Sequence, residues 1–403
     1  MRVSQTSRIL ALRGLWQLIV LQAVAVPFFH DRGLTTPEIF VVQTLFTIVL
    51  TILDIPASVL SGRIGRRNSL VVGALAKAIG GVLLVPNFHF AGILGAYTMI
   101  AIGNSFYSGV EYSLLYDGLQ SHRDPMASLK RTLGTSYAVT LSATIVANLL
   151  GGFIAKYFGF QTVANVNSIL AFSSLVVTLT IREVPGRNQD SSVHRIEFNE
   201  TLRAAAQILF SRQRLAMVCL LVVMGVVGPV FTTLLQIHLY DRQVDLIWFG
   251  ILIAAQNAFG ALFGLLLRSS LVTRLARLRS DMVVLLSATI AFGLLNVVSL
   301  LALPAVLATM EAAKSIAFVI TGTEFASSYE SRARATISSM QSVLIRIGSI
   351  GANAALAMGS GSRVGGRLSY GVAIMLAAIS IRYFIWPRNT GKASSPGVSD
   401  IAK

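Results

Sequence analysis

Long apolar runs limit the fold of this 403-residue chain more than any other feature. A helix needs roughly 20 apolar residues to cross a bilayer, and twelve runs of about that length can be drawn. They cover residues 9–29, 36–61, 69–87, 91–118, 132–155, 160–181, 213–239, 246–268, 281–301, 303–329, 334–358 and 366–387. Strands cross lipid only as closed barrels of short alternating segments, so runs of this length are helices. The sequence predicts an all-α membrane protein with twelve transmembrane helices.

The composition excludes several classes of protein. Only 12% of the residues are charged, against about 25% in soluble proteins, and the mean hydropathy is +0.71. The net charge of +16 comes from Arg clusters between the apolar runs, which is typical of topology signals and lipid contacts rather than of nucleic-acid binding. A single cysteine, Cys219, allows neither an internal disulfide nor a cysteine-based metal site. We expect no cofactor, no metal and no nucleic-acid partner.

The Lys and Arg residues also predict the orientation. Twenty-four of the 33 fall on the side of the N terminus, and five fall on the opposite side. Positive charges collect in cytoplasmic loops. We therefore expect a multi-pass protein of the plasma (inner) membrane with both termini in the cytoplasm.

One short segment occurs twice. Residues 108–118 read SGVEYSLLYDG and residues 321–331 read TGTEFASSYES, so Gly, Glu and Tyr recur in place. A second repeat, HDR at 30–32 and YDR at 240–242, ends the first and seventh runs. Repeated halves are typical of transporters that open a central site alternately to either side. The predicted parts are a six-helix half at 1–182, a cytoplasmic linker at 183–212, a second six-helix half at 213–388 and a disordered tail at 389–403.

The loop between the second and third runs, SGRIGRRNSL, carries a family motif. Its Arg63, Gly65, Arg66 and Arg67 match the signature Gly-x-x-x-Asp-Arg-x-Gly-Arg-Arg, with Gly62 in the place of the Asp. The chain resembles bacterial twelve-helix members of the major facilitator superfamily (MFS), in particular drug and metabolite exporters. Two weaker similarities are the acidic-x-Pro at Asp54-Ile-Pro56 and the last two glycines of an exporter motif, Gly151-Gly152.

This resemblance implies a cytoplasmic gate, in which loop arginines and an acid at the end of helix four hold two halves together. Carried over, it pairs the loop arginines with Asp117, and Glu330 with Arg332 or Arg334. The implied gate residues are Asp54, Arg63, Gly65, Arg66, Arg67, Asp117, Arg131, Glu330 and Arg334. The alternative interpretation is a set of topology signals with surface ion pairs of about 0–1 kcal/mol each.

Arg346 is the most informative charge within an apolar run, and it shares a helical face with Ser342, Ser349 and Asn353. An arginine at the middle of the membrane costs at least ~2.5 kcal/mol on insertion scales, so it should face a wet cavity or an acid. We predict Glu311 as its partner, in a substrate- or proton-linked site or in a structural ion pair.

Besides Arg346, four charged residues in the runs are candidates for substrate or proton coupling: Glu311, Lys314, Glu111 and Glu324. Glu311 can alternatively pair with Lys314, which lies one turn away. Glu111 and Glu324 are the repeated acids, and they serve either as titrating acids or as a second layer of the gate. Lys77, in the third run, has no predicted role.

Amide and phenol side chains within the runs are candidates for the lining of a cavity. They are Asn104, Tyr107, Asn148, Gln256 and Asn257, with Gln17 and Gln22 on the first run. The more common use of polar stripes is hydrogen bonding between helices. A mostly apolar cavity with a few such groups suits a neutral or amphipathic organic solute.

These features predict a secondary active transporter that works as a monomer with a small-molecule substrate, protons and the lipid bilayer. Proton-coupled efflux is favoured, and proton-coupled uptake is the alternative. A membrane-embedded enzyme acting on lipid intermediates is a remote alternative, because the five His residues are scattered and no catalytic cluster occurs.

Overall fold

The computed structural model of the chain describes residues 5–86, 89–108, 110, 114, 125–182, 222–223, 225–266, 280–295, 299–328 and 331–359. All regular secondary structure in these residues is helical. The α-helices are α1 (Gln5–Gln17), α2 (Ala25–Asp31), α3 (Thr36–Ile64), α4 (Arg66–Leu83), α5 (Phe90–Ser108), α6 (Pro125–Thr180), α7 (Phe231–Asp241), α8 (Leu246–Leu266), α9 (Ser280–Leu294), α10 (Leu303–Ser328) and α11 (Ser331–Gly359). A 3₁₀ helix at Val20–Val24 precedes α2, and a π-helix at Val226–Val230 precedes α7.

Five helical stretches among the described residues are long and apolar enough to cross a membrane. They are Gln5–Asp31, Thr36–Asp54, Thr132–Thr180, Leu246–Phe263 and Ser342–Gly359. The chain is therefore a multi-pass, all-α membrane protein, as the sequence predicts. The number twelve stays a prediction, because the run at 366–387 and parts of other runs lie outside the described residues.

Local chemistry explains several helix boundaries. At the start of α3, the Glu38 carboxylate accepts hydrogen bonds from the N–H and the hydroxyl of Thr35, at 2.8 and 2.7 Å, in a capping box. Gly65, at φ 89°, separates α3 from α4, and Gly159, at φ 79°, divides α6 into two arms. Both values lie in the left-handed region that favours glycine.

The helix ends form two groups. At the arginine end, Arg67 Nε donates to the carbonyl of Ile181 at 2.7 Å, and Arg8 donates to that of Thr180 at 2.5 Å. At the opposite end, Arg32 donates to Gln161 Oε1 at 2.8 Å. These bonds place the starts of α1 and α4 beside the end of α6, with the end of α2 at the other side of the molecule.

The main hydrophobic core connects distant parts of the chain. Its largest fully buried members are Phe28, Phe29, Phe40, Phe231, Phe249 and Phe292. Residues before 182 and after 222 thus share one core. A second, smaller core at the arginine end combines residues of α1, α4 and α5 with Val110, Leu114 and Ile181.

Two adjacent glycines allow close helix contacts inside this core. A Cβ on Gly151 would lie 2.0 Å from the carbonyl oxygen of Val20, and one on Gly152 would lie 2.9 Å from the Cα of Gly250. Each glycine therefore allows the backbone of a different segment to approach closely, as small residues do in membrane proteins.

Candidate functional site

The first membrane-crossing stretch is interrupted rather than continuous. After α1 ends at Gln17, Leu18 and Ile19 are not helical. The carbonyl oxygen of Trp16 accepts a hydrogen bond from Lys77 Nζ, at 2.6 Å. In a continuous α-helix this carbonyl would accept from the N–H of residue 20. Lys77, whose role the sequence did not predict, therefore satisfies a group that the interruption leaves open.

Gln236, a buried residue of α7, makes the second contact to the interruption. Its Nε2 donates to the carbonyl of Gln22 and its Oε1 accepts from the N–H of Val26, both at 2.9 Å. Residues 22 and 26 would pair with each other in a continuous helix. A side chain inserted between such partners is one of the recognised causes of a helix break.

Residues at equivalent positions in the two copies of the repeat contact each other beside the interruption. The HDR and YDR segments relate residue 30 to residue 240, and so residue 26 to residue 236. The ring of His30 stacks on the ring of Tyr240, with a centroid distance of 4.5 Å and an interplanar angle of 14°. Contacts between equivalent residues are what a two-fold relation between α2 and α7 would produce.

The ion pair of Arg346 differs from the prediction. Arg346 Nη1 lies 2.9 Å from Asp54 Oδ2 on α3 and 3.5 Å from the carbonyl of Leu50, so the predicted pairing with Glu311 was wrong. The second oxygen of Asp54 accepts a hydrogen bond from Ser108, at 2.9 Å. The side chains of Arg346 and Asp54 are 19% and 27% exposed. This pair therefore links α3 to α11 at a place that is only partly shielded.

Glu311 belongs instead to a polar network within the C-terminal part of the chain. Its Oε1 accepts from Lys314 at 2.7 Å and from Gln256 at 3.1 Å, and Gln256 also bonds Thr232. The alternative pairing of Glu311 with Lys314 is thus the one observed. A Cβ at position 260 would lie 2.8 Å from Glu311 Oε2, so Gly260 leaves the space that this buried carboxylate occupies.

Asn104 and Tyr107 are brought together by Trp16. The Trp16 indole N–H donates to Asn104 Oδ1 at 2.9 Å, and its ring stacks on Tyr107 with a centroid distance of 4.0 Å. Lys77 Nζ also lies 4.3 Å from the centroid of the Trp16 ring, a cation–π contact. Three elements, α1, α4 and α5, therefore meet on one aromatic residue.

The remaining amide candidates have separate environments. Asn148 is fully buried, and neither atom of its amide has a hydrogen-bond partner among the described residues. Asn257 donates to the carbonyl of Ile253, one turn earlier in its own helix, at 2.8 Å. The structure does not join Asn257 to the polar network of Glu311.

Comparison with known proteins identifies the family of this chain. A model described as Major Facilitator Superfamily matches residues 15–353. The chain belongs to this superfamily. No curated protein sequence matches it significantly.

Solved structures of MFS-type transporters share its fold. The nucleoside transporter NupG superposes with a TM-score of 0.73 at 13% identity, covering 96% of this chain and 100% of its own. An auto-inhibited POT family peptide transporter gives 0.68 at 13% identity, with coverage of 96% and 97%. A POT family transporter in complex with 5-aminolevulinic acid gives 0.65 at 12%, with 94% of each chain covered. Identities this low show the fold alone, and together with the family match they confirm an MFS transporter rather than an enzyme.

The gate expected of an MFS chain is described only in part. Glu111, Asp117 and Glu330 lie outside the described residues, as do the side chains of Arg131, Glu324 and Arg334. Arg67 donates to the end of α6, and Arg63 is exposed. The pairing of the loop arginines with Asp117 therefore stays a prediction, and Asp54 has Arg346 and Ser108 as its observed partners.

The roles of three residues beside the interrupted helix, Gln236, Trp16 and Lys77, were not predicted from the sequence. Gln236 could be noticed as a single amide within an apolar run. Nothing in the sequence around Trp16 and Lys77 indicates that these two residues contact each other. Their function depends on which carbonyls the interrupted helix leaves open, and that is a property of the backbone.

Proposed function

We propose that this chain exports a small organic solute in exchange for protons by alternating access. In this proposal twelve spans form two six-helix halves, 1–182 and 213–388, in the plasma membrane, with both termini in the cytoplasm. Family membership and the recurrence of the paired segments support this arrangement.

The ion pair of Arg346 and Asp54 carries the proposal. It joins a helix of each proposed half, and its partial exposure gives protons a route to the carboxylate. A proton on Asp54 removes the negative charge that attracts the guanidinium. Protonation then weakens a contact between the halves, which is the link between proton binding and movement that an antiporter needs.

The network of Glu311, Lys314, Gln256 and Thr232 supplies the second element of the proposal. Glu311 is almost fully buried, while the side chain of Lys314 is 40% exposed. An ammonium and nearby amide and hydroxyl groups suit an organic solute with hydrogen-bond acceptors. The names of the structural neighbours, which mention nucleosides, peptides and 5-aminolevulinic acid, suggest a first panel of solutes.

Proton-coupled uptake is the second candidate, and one observation weakens the case for export over uptake. Only Gly151 and Gly152 remain of the exporter motif, and both are explained by close packing on Val20 and Gly250. The motif is therefore weaker evidence for export than its position in the sequence suggests.

Membrane vesicles of opposite orientation separate the two directions. Everted vesicles with an acidic interior should accumulate a solute of the panel if the chain exports in exchange for protons. Accumulation only in right-side-out vesicles in an acidic medium would establish uptake instead.

The Asp54→Asn variant tests the coupling role. We expect loss of the proton dependence at normal abundance in the membrane, with Asp31→Asn, an exposed acid at the end of α2, as the matched control. Proton-driven flux that persists in Asp54→Asn would remove this residue from the mechanism.

A further inference from the structure

An open groove of about 580 Å³ lies at the arginine end, apart from the site described above. It is lined by Arg8, Arg67, Asn68, Leu179, Thr180, Ile181 and Arg182. Three of its seven lining residues are cationic and none is acidic. The groove therefore has the charge of an anion site.

Part of the arginine hydrogen-bonding capacity is already used by the protein. Arg67 donates to the carbonyls of Ile181 and Leu179, and Arg8 donates through one Nη to that of Thr180. These bonds hold the guanidinium groups at the end of α6, where exposed carbonyls attract cations. Each guanidinium has five N–H donors, so both arginines retain donors for another acceptor.

Two apolar stripes lead into this groove. On α4, Val72, Leu75, Ile79 and Val82 are exposed and follow Asn68 at helical spacing. On the second arm of α6, the exposed residues Ile169, Phe172, Val176 and Leu179 have the same spacing and end three residues before Arg182. An exposed apolar face of a membrane helix contacts acyl chains. Both stripes thus join a surface for acyl chains to a cationic groove.

We propose that this groove binds the phosphate of an anionic phospholipid, whose acyl chains lie along the two stripes. Basic pockets between membrane helices are suited to such headgroups. The shared chemistry is a phosphate group, and the stripes favour a lipid over a soluble phosphate. The inference does not depend on the direction of transport.

Native mass spectrometry of the delipidated full-length protein tests the proposal. Phosphatidylglycerol should be retained more strongly than phosphatidylcholine with the same acyl chains. Arg8→Gln with Arg182→Gln should weaken retention of phosphatidylglycerol by about 25-fold, at about fivefold for each arginine. The control is Arg242→Gln, which removes one positive charge at the opposite end and is compared with Arg8→Gln and Arg182→Gln made singly.

A soluble competitor separates the two sources of phosphate. Inorganic phosphate or glycerol 3-phosphate should not displace the lipid at equal concentration. Displacement would show a site for soluble anions and would overturn the lipid assignment. Equal retention of phosphatidylglycerol by the double variant, the control and the unmodified protein would overturn the groove as a site.

Asn68→Asp provides a second variant that leaves the three arginines intact. Asn68 is exposed, and its side-chain amide donates to the carbonyl of Ile64, one turn earlier. An added carboxylate should repel the phosphate and lower the preference for phosphatidylglycerol. An unchanged preference in a folded Asn68→Asp protein would contradict the proposal, even if the double variant failed to fold.

Discussion

At the scale of single residues, three charges in the apolar runs of the described part of the chain have partners of their own. Arg346 pairs with Asp54, Glu311 with Lys314, and Lys77 with a backbone carbonyl. The cost of charge in a membrane predicts that partners exist. It does not choose between Asp54 and Glu311, because the contact of α3 with α11 joins residues 292 positions apart.

A double-mutant cycle tests the assignment of Arg346. Arg346→Gln and Asp54→Asn should be non-additive, with a coupling energy of about 0.5–3 kcal/mol, because the residues are in contact. The measurement is thermal stability in detergent, with Glu311→Gln as the comparison partner. Coupling to Glu311 and additivity with Asp54 would restore the pairing expected from sequence.

The exposed ion pair of Lys156 and Asp245 should make the stability of the protein depend on pH. The hydrogen bond from Lys156, with a further one from the N–H of Ile247, lowers the pKa of Asp245 below its ordinary value. A lowered pKa means that the stabilisation is present above the ordinary range of Asp and is lost as the pH falls through the lowered pKa.

Asp245→Asn should therefore flatten the acid limb of a plot of thermal stability against pH. The effect should be small, because both side chains are solvent-exposed and water screens the pair. Asp31→Asn is the control. An acid limb as steep in Asp245→Asn as in the unmodified protein would show that the pair contributes nothing measurable.

At the scale of helices, discontinuities determine how the elements pack. Gly65 and Gly159 stand where the sequence predicts turns between runs, since a glycine between two long apolar segments is a local signal. The interruption after Gln17 was not predictable in this way. It depends on Lys77 and Gln236, which approach from other helices.

Gly151→Ala should destabilise the transporter. The added methyl group would lie 2.0 Å from the carbonyl of Val20, and such overpacking costs about 1–3 kcal/mol or more. Gly134→Ala is the matched control, because no described atom beyond its chain neighbours and the backbone of its own helix lies within 4 Å of the added Cβ. Removing a helical glycine there should stabilise by about 0.5–1 kcal/mol. Equal melting temperatures for the two variants would contradict the close packing of α6 on the interrupted stretch.

At the scale of the whole molecule, a group of contacts connects residues before 182 with residues after 222. It lies near the end of the molecule that is opposite to the arginine end. It comprises the His30–Tyr240 stack, the Lys156–Asp245 pair and the bonds of Gln236. Apolar runs and the loop motif predicted the family and the multi-pass fold. They did not indicate at which end of the molecule the two parts of the chain are in contact, since every state of an alternating-access protein has the same sequence.

A cysteine pair at positions 30 and 240 tests whether this contact opens during transport. In a protein whose Cys219 is replaced by Ser, oxidation of His30→Cys with Tyr240→Cys should stop transport, and a reductant should restore it. The control pair, Gly81→Cys with Ala171→Cys, lies within the first 182 positions, where a Cβ at residue 81 would stand 3.2 Å from that of Ala171, and it should leave transport active. Full activity of the oxidised 30–240 pair would mean that the contact stays closed throughout the cycle.

The two hydrogen bonds of Gln236 have a consequence for the cost of such opening. When α7 moves away, the carbonyl of Gln22 and the N–H of Val26 lose one amide but become available to each other at the spacing of an α-helical bond. The two backbone groups can then replace their hydrogen bonds to Gln236 by a hydrogen bond to each other, and water can hydrate the released amide of Gln236. The stretch from residue 22 to residue 26 would alternate between bonds to Gln236 and an α-helical bond of its own with little change in unsatisfied polar groups, while Pro27 and the bond of Lys77 to Trp16 keep the rest of the crossing irregular.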